Sequence, residues 1–263
     1  MSKQLARNLL RAIVRLQLRL ARLSQRGNAD AAMLFQSAWS ALHKRKLVAW
    51  CVSRSRQRFQ PDVAEGLLLQ LLDALRKQGL PFQPSTHLQA TDDIRNLLTS
   101  GAPLIVVTSH TGFAATTLTL LHMGVPLSWV TDALPAAELA RRYRRILETY
   151  PGLQLVPKDR YSLARLHEAL RNGRTISCAT DYQDEVTKTY SLVSPAIFEF
   201  ARRIDATLLM SKTVVNDDGS ITTILDGPHH IADAEASALA FIDFLNAGRH
   251  TPKCLQLKYP PAP

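Results

Sequence analysis

The pattern of apolar and polar positions changes period near residue 100. Before that point apolar residues recur at helical spacing. Leu5, Leu9, Ile13, Leu16, Leu20 and Leu23 predict one face of a helix over 3–26, and Arg7, Arg11, Arg15 and Arg19 form a ridge along another face. Gly27 and Asn28 are the expected end of this helix. Helical patterns follow at 30–58 and 62–78, the second bounded by Gly79 and Pro81. Residues 80–90 are polar and contain proline, which predicts a connection. Beyond it, short β-branched runs alternate with helical patterns. Strands are predicted at 104–108, 127–131, 153–156, 175–180, 207–215 and 221–225, and helices at about 113–122, 136–149, 162–172, 195–204 and 233–246. Asn216-Asp217-Asp218-Gly219 is a hairpin signal between the last two strands. Repeated strand-then-helix spacing predicts an α/β fold, with a mostly parallel mixed sheet flanked by helices. The expected division is a helical N-terminal region over 1–80 and an α/β domain over 81–263.

Charge sharpens that division. Residues 1–60 hold 13 of the 32 Lys and Arg but only one of the 22 acids, Asp30. The first 60 residues thus carry +12 in a chain of net charge +10, and the remainder is slightly acidic. Such asymmetry points to an anionic partner for the N-terminal region. A basic amphipathic helix at 3–26 suits an anionic membrane surface, an acidic protein, or plain packing of its leucines on its own domain. Transfer RNA is a further candidate, since phosphate contacts dominate nucleic-acid affinity. No apolar run approaches the roughly 18 residues of a membrane span, and arginines interrupt the N-terminal apolar positions. The expectation is a cytoplasmic protein, soluble or peripheral on the inner face of a membrane. Cys51, Cys178 and Cys254 lie far apart, with neither zinc-like spacing nor a disulfide framework.

Candidate chemistry gathers at predicted strand ends. His110 ends the first strand of the body, Asp132 the second, and Asp181 the strand at 175–180. In an open parallel sheet these ends share one edge, where ligands bind. His is the side chain most easily poised as a base near neutral pH. The chain has no Gly-x-Gly-x-x-Gly after a strand, no P-loop, no His-Glu-x-x-His and no Gly-x-Ser-x-Gly. Dinucleotide, P-loop nucleotide, zinc-protease and ordinary serine-hydrolase readings drop out accordingly. Trp39, Trp50 and Trp129 are expected to anchor a core or an interface.

Residues 104–113, a strand followed by His110-Thr111-Gly112-Phe113, resemble the strand and His-x-Gly block of the lysophospholipid acyltransferase superfamily. The resemblance is to its lipid A late (lauroyl/myristoyl) acyltransferase branch, whose block reads approximately His-x-Gly-Asn-Trp-Glu. Arg145 through Gly152 to Val156, and Leu166 through Gly173 to Asp181-Tyr182-Gln183, are similar to later segments of that family, as are the helix and hairpin over 196–225. The similarity covers roughly 100–230.

The resemblance implies transfer of a fatty acyl group from an acyl-carrier-protein or coenzyme A thioester to a hydroxyl or amine of a lipid or specialised metabolite. The thioester is then a co-substrate, with no bound cofactor and no metal. His110 would remove the acceptor's proton, and the amides of Gly112 and Phe113 would face the developing oxyanion. Thr111, Asp132, Arg145 and Tyr182 would flank the substrates. Ala115 stands where the family's block carries its acid, so another carboxylate has to orient His110. Asp181 and Asp132 are the candidates, and Asp181 is favoured. Two alternatives stay open: a non-catalytic relative that binds lipid or a partner protein, and a transferase using aminoacyl-tRNA as donor.

Overall fold

The computed structural model describes residues 2–24, 31–55, 63–77, 86–131, 137, 143–144, 147–186, 190–248 and 255–258. The chain divides into two compact units: a helical one comprising 1–87, 185–189 and 214–222, and an α/β one comprising the rest.

The helical unit contains α1 (Lys3–Ser24), α2 (Ala31–Leu42), α3 (Lys46–Ser55) and α4 (Val63–Lys77). In α1 the buried residues are Ala6, Leu10, Val14, Leu18 and Ala21, spaced by four or three and so aligned on one face. They pack on α2, α3 and α4, whose buried side chains include Phe35, Trp39, Val48, Cys51, Leu67, Leu71 and Leu75. Of the three uses open for the leucine face, packing on its own domain does not apply to Leu5, Leu16, Leu20 and Leu23, which are 50 to 75 % exposed. Apolar residues cover more than half of the circumference of α1, and the arc centred on Leu10, Val14 and Leu18 is the one that packs. Trp39 is buried and stacks between Phe35 and His43. Trp50 is 39 % exposed and so is not a core residue. Gly219 closes the 216–220 turn with φ +84°, and a Cβ there would lie 3.0 Å from Trp39. The predicted helix end at Gly27-Asn28 lies outside the described residues.

The α/β unit is built on β2 (Leu104–Thr108), β3 (Leu127–Thr131), β4 (Leu153–Pro157), β5 (Thr175–Ala179) and most of β8 (Thr207–Val215) and β9 (Ile221–His229), with the short β1 (Thr86–Gln89) at one edge of the sheet; residues 86–87, 214–215 and 221–222 of these strands are counted with the helical unit. The seven-stranded sheet runs β1-β9-β8-β2-β5-β3-β4. The pairs β8/β2, β2/β5, β5/β3 and β3/β4 are parallel. Between the strands lie α5 (Asp92–Thr99), α6 (His110–His122), α7 (Ser162–Arg171), α8 (Ala196–Arg203) and α9 (Ala234–Asn246). Strand pleating sends Ile105, Val107, Ile176, Leu208 and Met210 to one face, against Leu166 and Leu170 of α7, Phe198 of α8 and Phe241 of α9. Leu104, Val106 and Leu209 face the other layer, with Ile94 and Leu98 of α5 and Leu120 of α6. Both faces of the central strands are covered, so β2 is buried at all five positions.

Four short strands among the described residues were not foreseen. β1 falls inside the predicted connection 80–90, whose residues 80–85 lie outside the described set. β6 (Asp181–Gln183), β7 (Tyr190–Val193) and β10 (Gln256–Leu257) form a second sheet of order β10-β7-β6. Of the predicted helix at 136–149, only residues 137, 143–144 and 147–149 are described, all helical.

Candidate functional site

Parallel register assembles the site. Thr108 at the end of β2 is aligned with Ala179 at the end of β5, and Thr180 N–H donates to the Thr108 carbonyl at 3.0 Å. The next residues, His110 and Asp181, are thereby brought side by side. Ser109 is the N-cap residue of α6, with extended backbone (φ −87°, ψ 156°), yet its hydroxyl does not cap the helix. It lies 2.8 Å from the Thr111 hydroxyl instead. The capping acceptor comes from the other strand: Asp181 Oδ1 accepts the His110 backbone N–H at 2.7 Å. A carboxylate at a helix N-terminus also meets the positive end of the helix dipole.

The same Oδ1 lies 2.8 Å from His110 Nδ1. An ionised carboxylate only accepts hydrogen bonds, so beside ionised Asp181 it is Nδ1 that carries the ring proton. That tautomer leaves Nε2 as the basic nitrogen. The Asp181 side chain is 4 % exposed and the His110 side chain 36 %, so the carboxylate is sheltered while the imidazole reaches the surface. A buried, doubly hydrogen-bonded acid holding an accessible imidazole in one tautomer is an arrangement suited to general-base work.

The sequence-predicted site residues divide. His110 and Asp181 stand together, as described, while Thr111 is 4 % exposed with its hydroxyl on that of Ser109. Gly112 has a packing reason for its lack of a side chain: an added Cβ would lie 3.0 Å from Thr213 Oγ1 and 3.1 Å from Thr108 Oγ1. Its N–H donates to the Ser109 carbonyl at 3.0 Å. The expected oxyanion role of the Gly112 amide is corrected accordingly, and from that pair the Phe113 amide remains. Ala115 is 1 % exposed, on the packed side of α6. Around it Thr116, Thr117 and Thr119 place their hydroxyls within 2.8 to 3.3 Å of Ser211, Ser177 and Thr223. An acid at 115 would be buried there, and the carboxylate beside His110 is supplied by β6. Asp132 and Arg145 lie outside the described residues.

Tyr182 follows Asp181 in β6, so the pleat turns its side chain to the opposite side of the strand. Burial, together with neighbouring Cys178 and Asp181, raises its phenol above the usual tyrosine value. The ammonium groups of Lys158 and Lys258 lie 5.5 and 4.7 Å from its ring centroid. Lys158 follows β4, at the same strand edge as His110.

Sequence reasoning missed these two lysines, and it missed an aromatic row. Phe113 meets Trp129 edge-on at 5.0 Å, and Trp129 meets Tyr143 at 5.4 Å. All three are partly exposed, so a row of ring surface begins three residues from His110. The signal for it was Trp129, two residues from the end of β3 at the same edge as His110.

No protein-family model matches the chain, and no curated protein matches it. No described helix is long and apolar enough to cross a membrane.

Proposed function

We propose that the protein transfers an acyl group from a thioester, on an acyl-carrier protein or coenzyme A, to the hydroxyl or amine of a lipid or specialised metabolite. The observation that carries this reading is the His110–Asp181 pair, with Nδ1 held at 2.8 Å and the ring partly exposed. The sequence resemblance over roughly 100–230 supports the donor class. Lys158 and Lys258 support it too, since both donors carry a phosphate next to their pantetheine arm.

His110 Nε2 takes the acceptor's proton as its oxygen or nitrogen bonds to the thioester carbonyl carbon. The carbonyl oxygen becomes an oxyanion near the α6 N-terminus, where the helix dipole and the Phe113 amide stabilise it. The C–S bond then breaks, and the leaving sulfur receives the proton from the imidazolium. Asp181 favours that imidazolium without itself taking a proton. The aromatic row Phe113–Trp129–Tyr143 offers apolar surface to an acyl chain.

The test is thiol release from acyl-carrier-protein and acyl-coenzyme A thioesters across a panel of hydroxyl and amine acceptors, with an aminoacyl-tRNA arm. His110→Ala is expected to lower acceptor-dependent release by roughly 10²–10⁴-fold. Thiol release by this variant at the wild-type rate, or discharge of aminoacyl-tRNA to free tRNA with no thiol release from either thioester, overturns the reading.

A further inference from the structure

We propose that the exposed side of α1 seats the helical unit on an anionic lipid surface, with the helix lying in the plane of the interface. This stands apart from the acyl-transfer reading and uses different residues.

The packing of α1 carries it. The core takes Ala6, Leu10, Val14, Leu18 and Ala21. At 3.6 residues per turn, Leu5, Leu9, Leu16, Leu20 and Leu23 fall on a neighbouring stripe. Four of these five leucines are at least half exposed, and Leu23 is 75 % exposed. On the far side of this stripe from the core lie Arg11, Arg15, Arg19 and Arg22, all exposed. The helix thus presents a leucine row and, beside it, an arginine row to the outside.

Charge selects the occupant. The segment Lys3–Ser24 contains no Asp or Glu, and Asp30 is the first acid of the chain. A second copy would set one arginine row against another. Nucleic acid would satisfy the arginines but leave the leucines in water, and α1 has no aromatic side chain on which bases could stack. An anionic bilayer satisfies both rows at once: leucines enter the acyl boundary while guanidinium groups stay among the phosphates. The helical unit also exposes Met33, Leu47 and Trp50, with Lys46 and Arg54 on the same helix as the last two. A helix of 22 residues lying flat covers roughly 33 Å of interface.

The experiment is sedimentation of the full chain with vesicles of phosphatidylcholine alone and of equal parts phosphatidylcholine and phosphatidylglycerol. Wild type is expected to pellet with the anionic vesicles, weakly with the neutral ones, and less as salt rises. The triple variant Arg11→Gln/Arg15→Gln/Arg19→Gln should partition about a hundredfold more weakly, at about 1 kcal/mol per cation. Leu16→Ser/Leu20→Ser/Leu23→Ser should lose binding comparably, while circular dichroism and unfolding midpoint stay at wild-type values because these side chains are not in the core. Pelleting that is equal with neutral vesicles, or unchanged in the leucine variant, overturns the proposal. So does a leucine row that proves to hold a dimer or an acidic protein, with no vesicle binding.

Discussion

In β2 every residue is buried, whereas α1, which is 22 residues long, buries a single stripe and leaves a second apolar one in solvent. The difference lies in how many sides of each element are covered. Helices lie on both faces of β2, so neither pleat position has an alternative to burial. Among the described residues of its own unit, α1 has packed neighbours on one side only, and its apolar arc is wider than that side. A central strand therefore leaves no surplus, while a helix with a wide apolar arc does. The surplus on α1 is bordered by arginine, which is what gives it chemical meaning.

The largest expected effect tests the α/β side of that contrast. Asp181→Asn keeps an oxygen that can accept the His110 backbone N–H, but it removes the charge beside Nδ1 and with it the fixed tautomer. Acceptor-dependent thiol release should fall by roughly 10³-fold or more, with the fold retained. Adding Ala115→Glu should not rescue it. Position 115 is enclosed by the packed side of α6, so the new carboxylate would be buried without a partner and lower stability. Rescue by Ala115→Glu would show that this buried position reaches His110 after all.

A second pair of substitutions addresses α1 directly. Leu10→Ala removes a fully buried side chain and should cost about 2–5 kcal/mol in denaturant unfolding. Leu16→Ala, at a site 59 % exposed, should cost no more than about 0.5 kcal/mol. Equal costs would mean that both stripes are packed, and the surplus would vanish.

The same contrast marks what was legible in the sequence. The alternation of β-branched runs with helical patterns located β2, β3, β4, β5, β8 and β9, because each carries enough buried apolar residues to register. β1, β6, β7 and β10 escaped because two to four residues hold too little pattern. β6 in particular begins with a charged residue that the fold buries. The nearness of His110 to Asp181 was legible through strand order: both follow strands that end at one edge. That Asp181 also caps α6 was not, since capping by a residue from another strand leaves no local spacing to read. Which stripe of α1 is buried was not legible, because its apolar arc is wider than the face that packs. The lysines over Tyr182 were invisible because Lys258 stands 76 residues away in sequence.

The smallest effect concerns one buried cysteine in each unit. Cys178 in β5 lies between sheet and helices, and burial pushes its thiol up to about 12. Burial raises the Cys51 thiol of α3 as well. A raised thiol is neutral in the folded protein over a range where the unfolded chain ionises it. Below pH 9 both states hold the proton and the thiol contributes no pH dependence. Between about 9 and 12 only the unfolded state loses the proton of Cys178, so stability is lost as pH rises. The slope from this one group approaches about 1.4 kcal/mol per pH unit. Urea unfolding at pH 8 and pH 10 measures it. Cys178→Ala should be less stable than wild type at pH 8, through the lost side-chain volume, and should then fall less steeply towards pH 10. Cys51→Ala should flatten the profile in the same sense. If the Cys178→Ala and wild-type profiles run parallel, the thiol is ionising inside the fold, and the two-sided enclosure of β5 is looser than that of β2.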